Sequence, residues 1–167
     1  MKKIFSLSVL LCLLVGCSKL TVDNSVGVKD LDRSRYLGDW YEIARYDHRF
    51  ERGMDRTKAR YELRDDGNVT VLNTGMKNGK PTEAKGVAKF TDTPGLLRVS
   101  FWGPFYSDYR VMLLDDDYQY ALIGSGSDDY LWILSRTPQI SPETKEKILT
   151  EAQRRGYDTT KLLWPTH

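Results

Sequence analysis

The sequence predicts an all-β domain, an antiparallel sandwich or barrel of about eight short strands, followed by one helix. Three observations predict it. Between Trp40 and Ser135 short β-rich runs alternate with turn compositions at near-regular spacing. Within several runs apolar residues alternate with charged ones, the pattern of a sheet wet on one face. After Ser135 the chain reads as a capped helix with one apolar stripe. The chain has 167 residues, 40% hydrophobic and 29% charged, so it is long enough for one domain with a real core. A disordered chain is poorer in apolar residues and a multispan membrane protein richer. Lys plus Arg number 25 against 23 Asp plus Glu, so no basic excess announces a nucleic-acid partner. Two cysteines exclude a disulfide-dense scaffold and a Cys-rich zinc site.

The N-terminus reads as an export signal. Lys2 and Lys3 precede an apolar run from Ile4 to Val15, too short to span a bilayer comfortably and ending in small residues. The run closes as Leu14-Val15-Gly16-Cys17, which looks like a bacterial lipobox. Residues 1–16 are then a lipoprotein signal peptide, and Cys17 becomes the lipidated first residue. Ser18, where an Asp retains such proteins at the inner membrane, implies passage to the outer membrane. Cleavage removes Cys12 and leaves Cys17 as the only cysteine, occupied by lipid, so neither a disulfide nor a thiol nucleophile remains. Residues 17–33 are read as the lipidated N-terminus and a polar tether, and residues 34–167 as the folded domain.

The predicted strands are Trp40–Tyr46, Thr57–Arg64, Val69–Met76, Glu83–Thr91, Leu96–Trp102, Asp108–Leu114, Gln119–Gly124 and Asp129–Ser135. Turn compositions such as Asp65-Asp66-Gly67-Asn68 and Lys77-Asn78-Gly79-Lys80-Pro81 separate them. Ala59, Tyr61 and Leu63 alternate with Lys58, Arg60, Glu62 and Arg64; Ala84, Gly86, Ala88 and Phe90 with Lys85 and Lys89; Leu97, Val99 and Phe101 with Arg98 and Ser100. Several inward positions are small, notably Ala59, Ala84, Gly86, Ala88 and Ala121. A packed sandwich core wants bulk there, whereas a closed sheet lined by small residues leaves room for one small ligand.

For the helix, Ser141 is a good N-cap, Pro142 suits the first helical position and Glu143 complements the dipole. Gly156 is a C-terminal stop. Ile148, Leu149 and Ala152 form the stripe that docks on a sheet, and Lys161 to Trp164 can form a short last strand.

No catalytic constellation stands out, so no enzyme activity, cofactor or metal is expected. The histidines are His48 and the C-terminal His167, without metal-ligand spacing. Asp115-Asp116-Asp117 reads as a polar hairpin turn rather than a calcium site, and Gly124-Ser125-Gly126-Ser127 as a turn, with no P-loop Lys after it. His48 reads as a loop residue at the mouth of the barrel, with a general base as the competing reading.

One set of residues carries a resemblance. Gly38-Asp39-Trp40-Tyr41-Glu42-Ile43-Ala44-Arg45 contains Gly-x-Trp, Ser107-Asp108-Tyr109 resembles a Thr-Asp-Tyr triplet, and Arg136 follows the last strand, in that order. The chain therefore resembles the lipocalins, over about Ser34 to Pro165. Trp102-Gly103-Pro104-Phe105-Tyr106, the Tyr130 to Pro138 stretch and the lipobox make it similar to the bacterial outer-membrane lipoprotein branch of that family, the Blc type, and more distantly to apolipoprotein D.

The resemblance implies an eight-stranded antiparallel up-and-down β-barrel with the helix packed outside. It implies that Gly38, Trp40, Asp108, Tyr109 and Arg136 are structural, with Arg136 lying across the Trp40 indole. It implies a function: binding, storing or transporting a lipophilic ligand, a fatty acid such as palmitate or a lysophospholipid, at the outer membrane, facing the periplasm and contributing to envelope maintenance. The alternative is a structural or interaction lipoprotein whose barrel is filled. Expected partners are that ligand and the membrane, through the lipid anchor; no nucleic acid is expected, and a homodimer is compatible. The resemblance also places a bulge after Trp40, which turns Ile43 and Arg45 inward. Apolar parity then nominates Ala59, Tyr61, Val69, Val71, Ala88, Val99, Phe101, Met112, Ile123, Tyr130 and Trp132 as the lining. Arg45 and Arg110 fall on the inward parity as cations. Either they pair with Glu42 or another carboxylate, or they meet an anionic ligand group.

Overall fold

The computed structural model describes residues 21–167. The export signal and Cys17 lie outside the described residues. The strands are β1 (Gly38–Tyr46), β2 (Met54–Leu63), β3 (Val69–Lys77), β4 (Lys80–Phe90), β5 (Leu96–Trp102), β6 (Phe105–Leu114), β7 (Tyr120–Gly124) and β8 (Leu131–Ser135). Each pairs antiparallel with the next, and β1 pairs with both β8 and β2, so the sheet closes into an up-and-down barrel without free edges. A two-residue strand, β9 (Leu162–Leu163), pairs with Arg45 and Tyr46 at the end of β1.

All eight expected strands form. The boundaries move mainly at the hairpins, where β4 starts at Lys80 and β6 at Phe105, earlier than the composition suggested. Asn78 and Gly79 take positive φ (52° and 72°) in a two-residue turn, a conformation that twists with the flanking strands.

A one-turn helix, α1 (Arg33–Tyr36), enters the barrel, capped by Asp32, whose carboxylate accepts from the Ser34 and Arg35 N–H groups. The long helix, α2 (Pro142–Arg154), starts as the sequence predicts: the Ser141 hydroxyl accepts from the Thr144 N–H, and Pro142 occupies the first turn. It packs outside the barrel through buried Ile148 and Ala152.

Two apolar clusters result. One lies between barrel wall and helix and contains Ala44, Tyr46, Leu122, Leu131, Ile133, Ile148 and Ala152. The other fills the lower barrel interior and contains Trp40, Tyr61, Val69, Val71, Ala88, Leu97, Val111, Ala121, Ile123 and Leu134. Residues 21–32 run along the outer wall, where the Val28 N–H donates to the Val111 carbonyl and the Asp32 N–H to the Tyr118 hydroxyl. No helix among the described residues is long and apolar enough to cross a membrane.

Candidate functional site

The barrel has one sealed end. Trp40 is fully buried there, and its indole N–H donates to the Tyr36 carbonyl at 2.8 Å. The Arg136 guanidinium lies 3.8 Å from the Trp40 ring and donates to the Asp39, Arg35 and Tyr118 carbonyls. Gly38 has φ of 92°, and a Cβ there would sit 3.5 Å from the Arg136 guanidinium, so glycine serves both backbone and approach. Above this plug three phenols meet: Tyr61 donates to the Tyr109 hydroxyl at 3.1 Å, and Tyr36 and Tyr109 are 2.6 Å apart. Burial raises all three above the ordinary phenol range, Tyr61 to about 12. Asp108 points outward and pairs with Arg98 at 2.6 Å. Gly38, Trp40, Tyr109 and Arg136 thus sit in or beside the sealed end, whereas Asp108 stands on the outer wall, next to Gly126 of the β7–β8 loop.

Of the nominated lining, Ala59, Tyr61, Val69, Val71, Ala88, Val99, Phe101, Ile123 and Trp132 belong to the interior cluster. Tyr130 stacks on Trp132, with ring centroids 5.7 Å apart. The interior is not uniformly filled. Val69, Val71 and Ala88, toward the sealed end, are buried, whereas Ala59, Asn73 and Phe101 are only half-buried. Ala84, inward by strand alternation with Gly86 and Ala88, is exposed. The upper half of the β2–β5 wall is therefore open to solvent from inside.

Three nominated residues lie elsewhere. Ile43 is expected inward, but the β1 bulge falls between Glu42 and Ala44 rather than directly after Trp40. Trp40, Glu42 and Arg45 therefore face inward, and Ile43 faces outward, beside Ile140 and Trp164. Met112 is the extra residue of a second bulge, between Val111 and Leu113, and packs with Tyr157 under the helix layer. Arg110 lies between inward Tyr109 and Val111, so it points outward, 3.6 Å from Asp108 and against Gly27. All three keep the plain alternation set by inward Trp40 and Glu42 on β1 and by inward Tyr109 and Val111 on β6, and the later β1 bulge turns Arg45 rather than Ile43 inward.

At the open end a buried polar cluster crowns the interior. Arg45 pairs with Glu42, and the Thr57 hydroxyl donates to the same carboxylate oxygen at 2.8 Å. Arg45 also donates to the Glu51 and Met54 carbonyls at 2.8 and 2.9 Å. The β1–β2 loop is thereby drawn over the mouth. Its Glu51 carboxylate takes the Trp132 indole N–H at 3.2 Å and stands 2.9 Å from His48 Nε2. Burial, then the charge of Glu51, raises the Glu42 carboxyl to about 8 against the pull of Arg45. Burial pushes Glu51 up as well, but its bonds from His48 and Trp132 outweigh that and hold it below the usual range. Arg45 Nε, His48 Nδ1 and Asn73 Oδ1 are buried with no partner among the described residues.

Of the two readings for the inward cations, Arg45 thus meets the carboxylate of Glu42. Sequence reasoning named Glu42 only as that partner and missed Glu51 and Thr57. The one available signal was the alternation Trp40, Glu42, which a bulge one residue later preserves. No group of three or more residues suited to a metal ion occurs among the described residues.

Comparison with known proteins adds to this geometry. A family model described as a lipocalin-like domain matches residues 31–167. The chain is 49% identical over 157 residues to the outer membrane lipoprotein Blc of Escherichia coli (strain K12), covering 91% of this chain and 89% of that protein. It is 43% identical over 147 residues to temperature-induced lipocalin-1 of Arabidopsis thaliana, covering 81% and 78%. It is 33% identical over 145 residues to apolipoprotein D of Mus musculus, covering 80% and 76%. Among solved structures, insecticyanin from the tobacco hornworm Manduca sexta superposes with a TM-score of 0.70 at 22% identity, over 84% of this chain and 83% of that one, and so shares its fold.

Proposed function

The chain belongs to the lipocalin family, and from that premise we propose that it binds a lipophilic ligand in its barrel at the bacterial outer membrane. The ligand class is a fatty acid or lysophospholipid, held or carried rather than chemically changed. The likeness to proteins named outer membrane lipoprotein Blc supports the location, with Cys17 as the lipid anchor and the barrel facing the periplasm. Such a protein contributes to maintaining the envelope.

The observation that carries the reading is the graded interior: apolar side chains toward the sealed end, and an accessible upper wall at Ala84, Asn73 and Phe101 beneath buried polar atoms that lack partners. An acyl chain gains about 0.8 kcal/mol per buried methylene before ordering costs. Its polar head would take the bonds that Arg45 Nε, His48 Nδ1 and Asn73 Oδ1 leave unmade. Such a buried polar atom without a partner costs about 1–3 kcal/mol, which a polar head would recover and a bare hydrocarbon would not.

Ala84→Trp tests the site. The position is exposed inside the barrel, so the fold should tolerate the ring while the ring blocks the chain's path. We expect binding of a fluorescent fatty acid and of lysophosphatidylethanolamine to weaken about tenfold or more. Parent-like binding by the folded variant would place the ligand elsewhere. Native mass spectrometry of the envelope-purified protein would identify the ligand class.

A further inference from the structure

The floor of the barrel carries more hydrogen-bond donors than the protein can use. Tyr36 comes from α1, Tyr61 from β2 and Tyr109 from β6, and their rings gather over Trp40. Ring centroids lie 5.1 Å apart for Tyr36 and Trp40, 5.8 Å for Tyr36 and Tyr61, and 6.2 Å for Tyr61 and Tyr109. Tyr36 and Tyr61 are buried, whereas Tyr109 is half-buried.

Three phenol hydroxyls bring three hydrogens, but only two oxygen contacts join them. Tyr61 spends its hydrogen on Tyr109. One hydrogen lies between Tyr36 and Tyr109, and whichever of the two donates it, the other's has no acceptor among the described residues. Their neighbours Val71, Ala88, Leu97 and Ile123 have no polar atom in their side chains. Burial holds all three phenols above the ordinary range, so ionisation does not remove the surplus hydrogen near neutral pH. Phe at these positions would fill nearly the same volume without a buried donor left unmade. The hydroxyls are therefore a cost to the fold that an acceptor from outside would cancel.

That acceptor has a way in. Trp132 at the mouth, then Ala59, Phe101, Val99 and Tyr109, are inward-facing residues that stay half-buried, and they mark a lumen from the open end to the triad. Its walls are apolar down to the phenols. A carboxylate taken to this depth would need a cation to pair with. The Arg136 guanidinium lies 3.8 Å from the Trp40 ring and donates to three carbonyls, so it is already committed.

We propose that the tyrosine triad is a second polar subsite, which takes a neutral oxygen, a hydroxyl or ketone, at the far end of an acyl chain. The inference rests on the reading of the barrel as a lipid-binding site and adds which chains it selects. The mouth holds the polar head, the lumen wall the methylenes, and the floor donates one hydrogen bond to the chain's distal oxygen.

The test measures displacement of a fluorescent fatty acid from the mature protein by saturated acids of ten to eighteen carbons. Each is compared with its ω-hydroxy, ω-carboxy and mid-chain hydroxy derivatives. We expect an ω-hydroxy acid to bind at least about threefold more tightly than the plain acid, at the one chain length that spans mouth to floor. The ω-carboxy and mid-chain hydroxy acids should bind more weakly than the plain acid. In a folded variant with Tyr36→Phe, Tyr61→Phe and Tyr109→Phe, plain acids should bind within about twofold of the parent, and the preference should invert. The ω-hydroxy acid would then bind about tenfold more weakly than the plain one, its oxygen buried without a donor. The chain-length profile is read on the parent alone, so it decides even where the triple variant does not fold. Plain acids bound with no ω-hydroxy preference at any length would overturn the subsite and mean that water takes the hydrogen, leaving the barrel reading intact. A folded triple variant that keeps the preference, or a parent that prefers the ω-carboxy acid, would overturn it too. A parent that binds none of these acids would overturn the barrel reading and the subsite together.

Discussion

At the scale of single residues, the two ends of the barrel depend on opposite uses of charge. Arg136 keeps its charge at the sealed end, because the Trp40 ring and three carbonyls replace water around it. Arg136→Ala removes a cation–π contact of about 0.5–2 kcal/mol and leaves carbonyls short of a donor. We expect a loss of about 2–4 kcal/mol in urea unfolding, with fatty-acid affinity retained in the folded fraction. At the mouth, Glu42 is held so that it keeps a proton far above the usual carboxyl range. A carboxyl that binds its proton more tightly in the folded state contributes its full stabilisation below the unfolded value of 4.5 and loses it as pH rises toward about 8. Stability should therefore fall across that window by an amount on the order of a few kcal/mol. Glu42→Gln can still accept from Arg45 and Thr57 without titrating. Its unfolding free energy, followed from pH 4.5 to 8, should be flatter than the parent's. Parallel curves would show that Glu42 is ionised throughout and paired as a simple salt bridge with Arg45.

At the scale of elements, what the sequence made legible was what is encoded locally. Turn compositions placed all eight strands, and the Ser141 cap and Pro142 placed the helix to within a residue or two. Inward and outward faces were legible where apolar and charged residues alternate along a strand. On β2–β5 alternation places the nominated residues from Ala59 to Phe101 inside the barrel, whereas on β1 the bulge lies later than expected and on β6 Tyr109 and Val111 hold the inward parity, so Ile43, Arg110 and Met112 face outward. The entry of Glu51 into the mouth had no local signal at all, because a polar loop reads as solvated until Arg45 is known to pin it. The outer layer that absorbed the misassigned residues also gives the helix its role. Ile148 is fully buried in it, among barrel residues that face away from the ligand side. Ile148→Ala should cost about 2–4 kcal/mol through the lost side chain and the cavity left behind. Fatty-acid affinity of the folded variant should stay within about twofold, measured by displacement; a larger change would mean that the helix layer and the interior are coupled through the wall.

At the scale of the whole molecule, the part of the segment read from composition as a tether that the structure describes, residues 21–32, packs on the barrel wall. These residues are held on the wall both by backbone bonds and by half-buried Val22, Val28 and Leu31, which pack against the two apolar clusters. Arg155 is the principal clamp. Only 6% exposed, it pairs with Glu151 at 2.7 Å and donates to the Asp23, Val26 and Met112 carbonyls at 3.2, 2.8 and 3.0 Å. One side chain thus ties helix, barrel strand and N-terminal segment together, and its loss releases the segment while leaving the closed sheet intact. Arg155→Ala should lower global stability by about 2–4 kcal/mol, since hydrogen bonds from a charged donor are worth about 1.5–3 kcal/mol each and water recovers part of them. The local effect should be larger than the global one. Amide hydrogen exchange at Asp23 and Val28 should accelerate by at least about tenfold more than exchange in β7, which the global loss alone governs. Equal acceleration in both places would mean that the segment opens only when the barrel does, and that Val28 on Val111 holds it without help from Arg155.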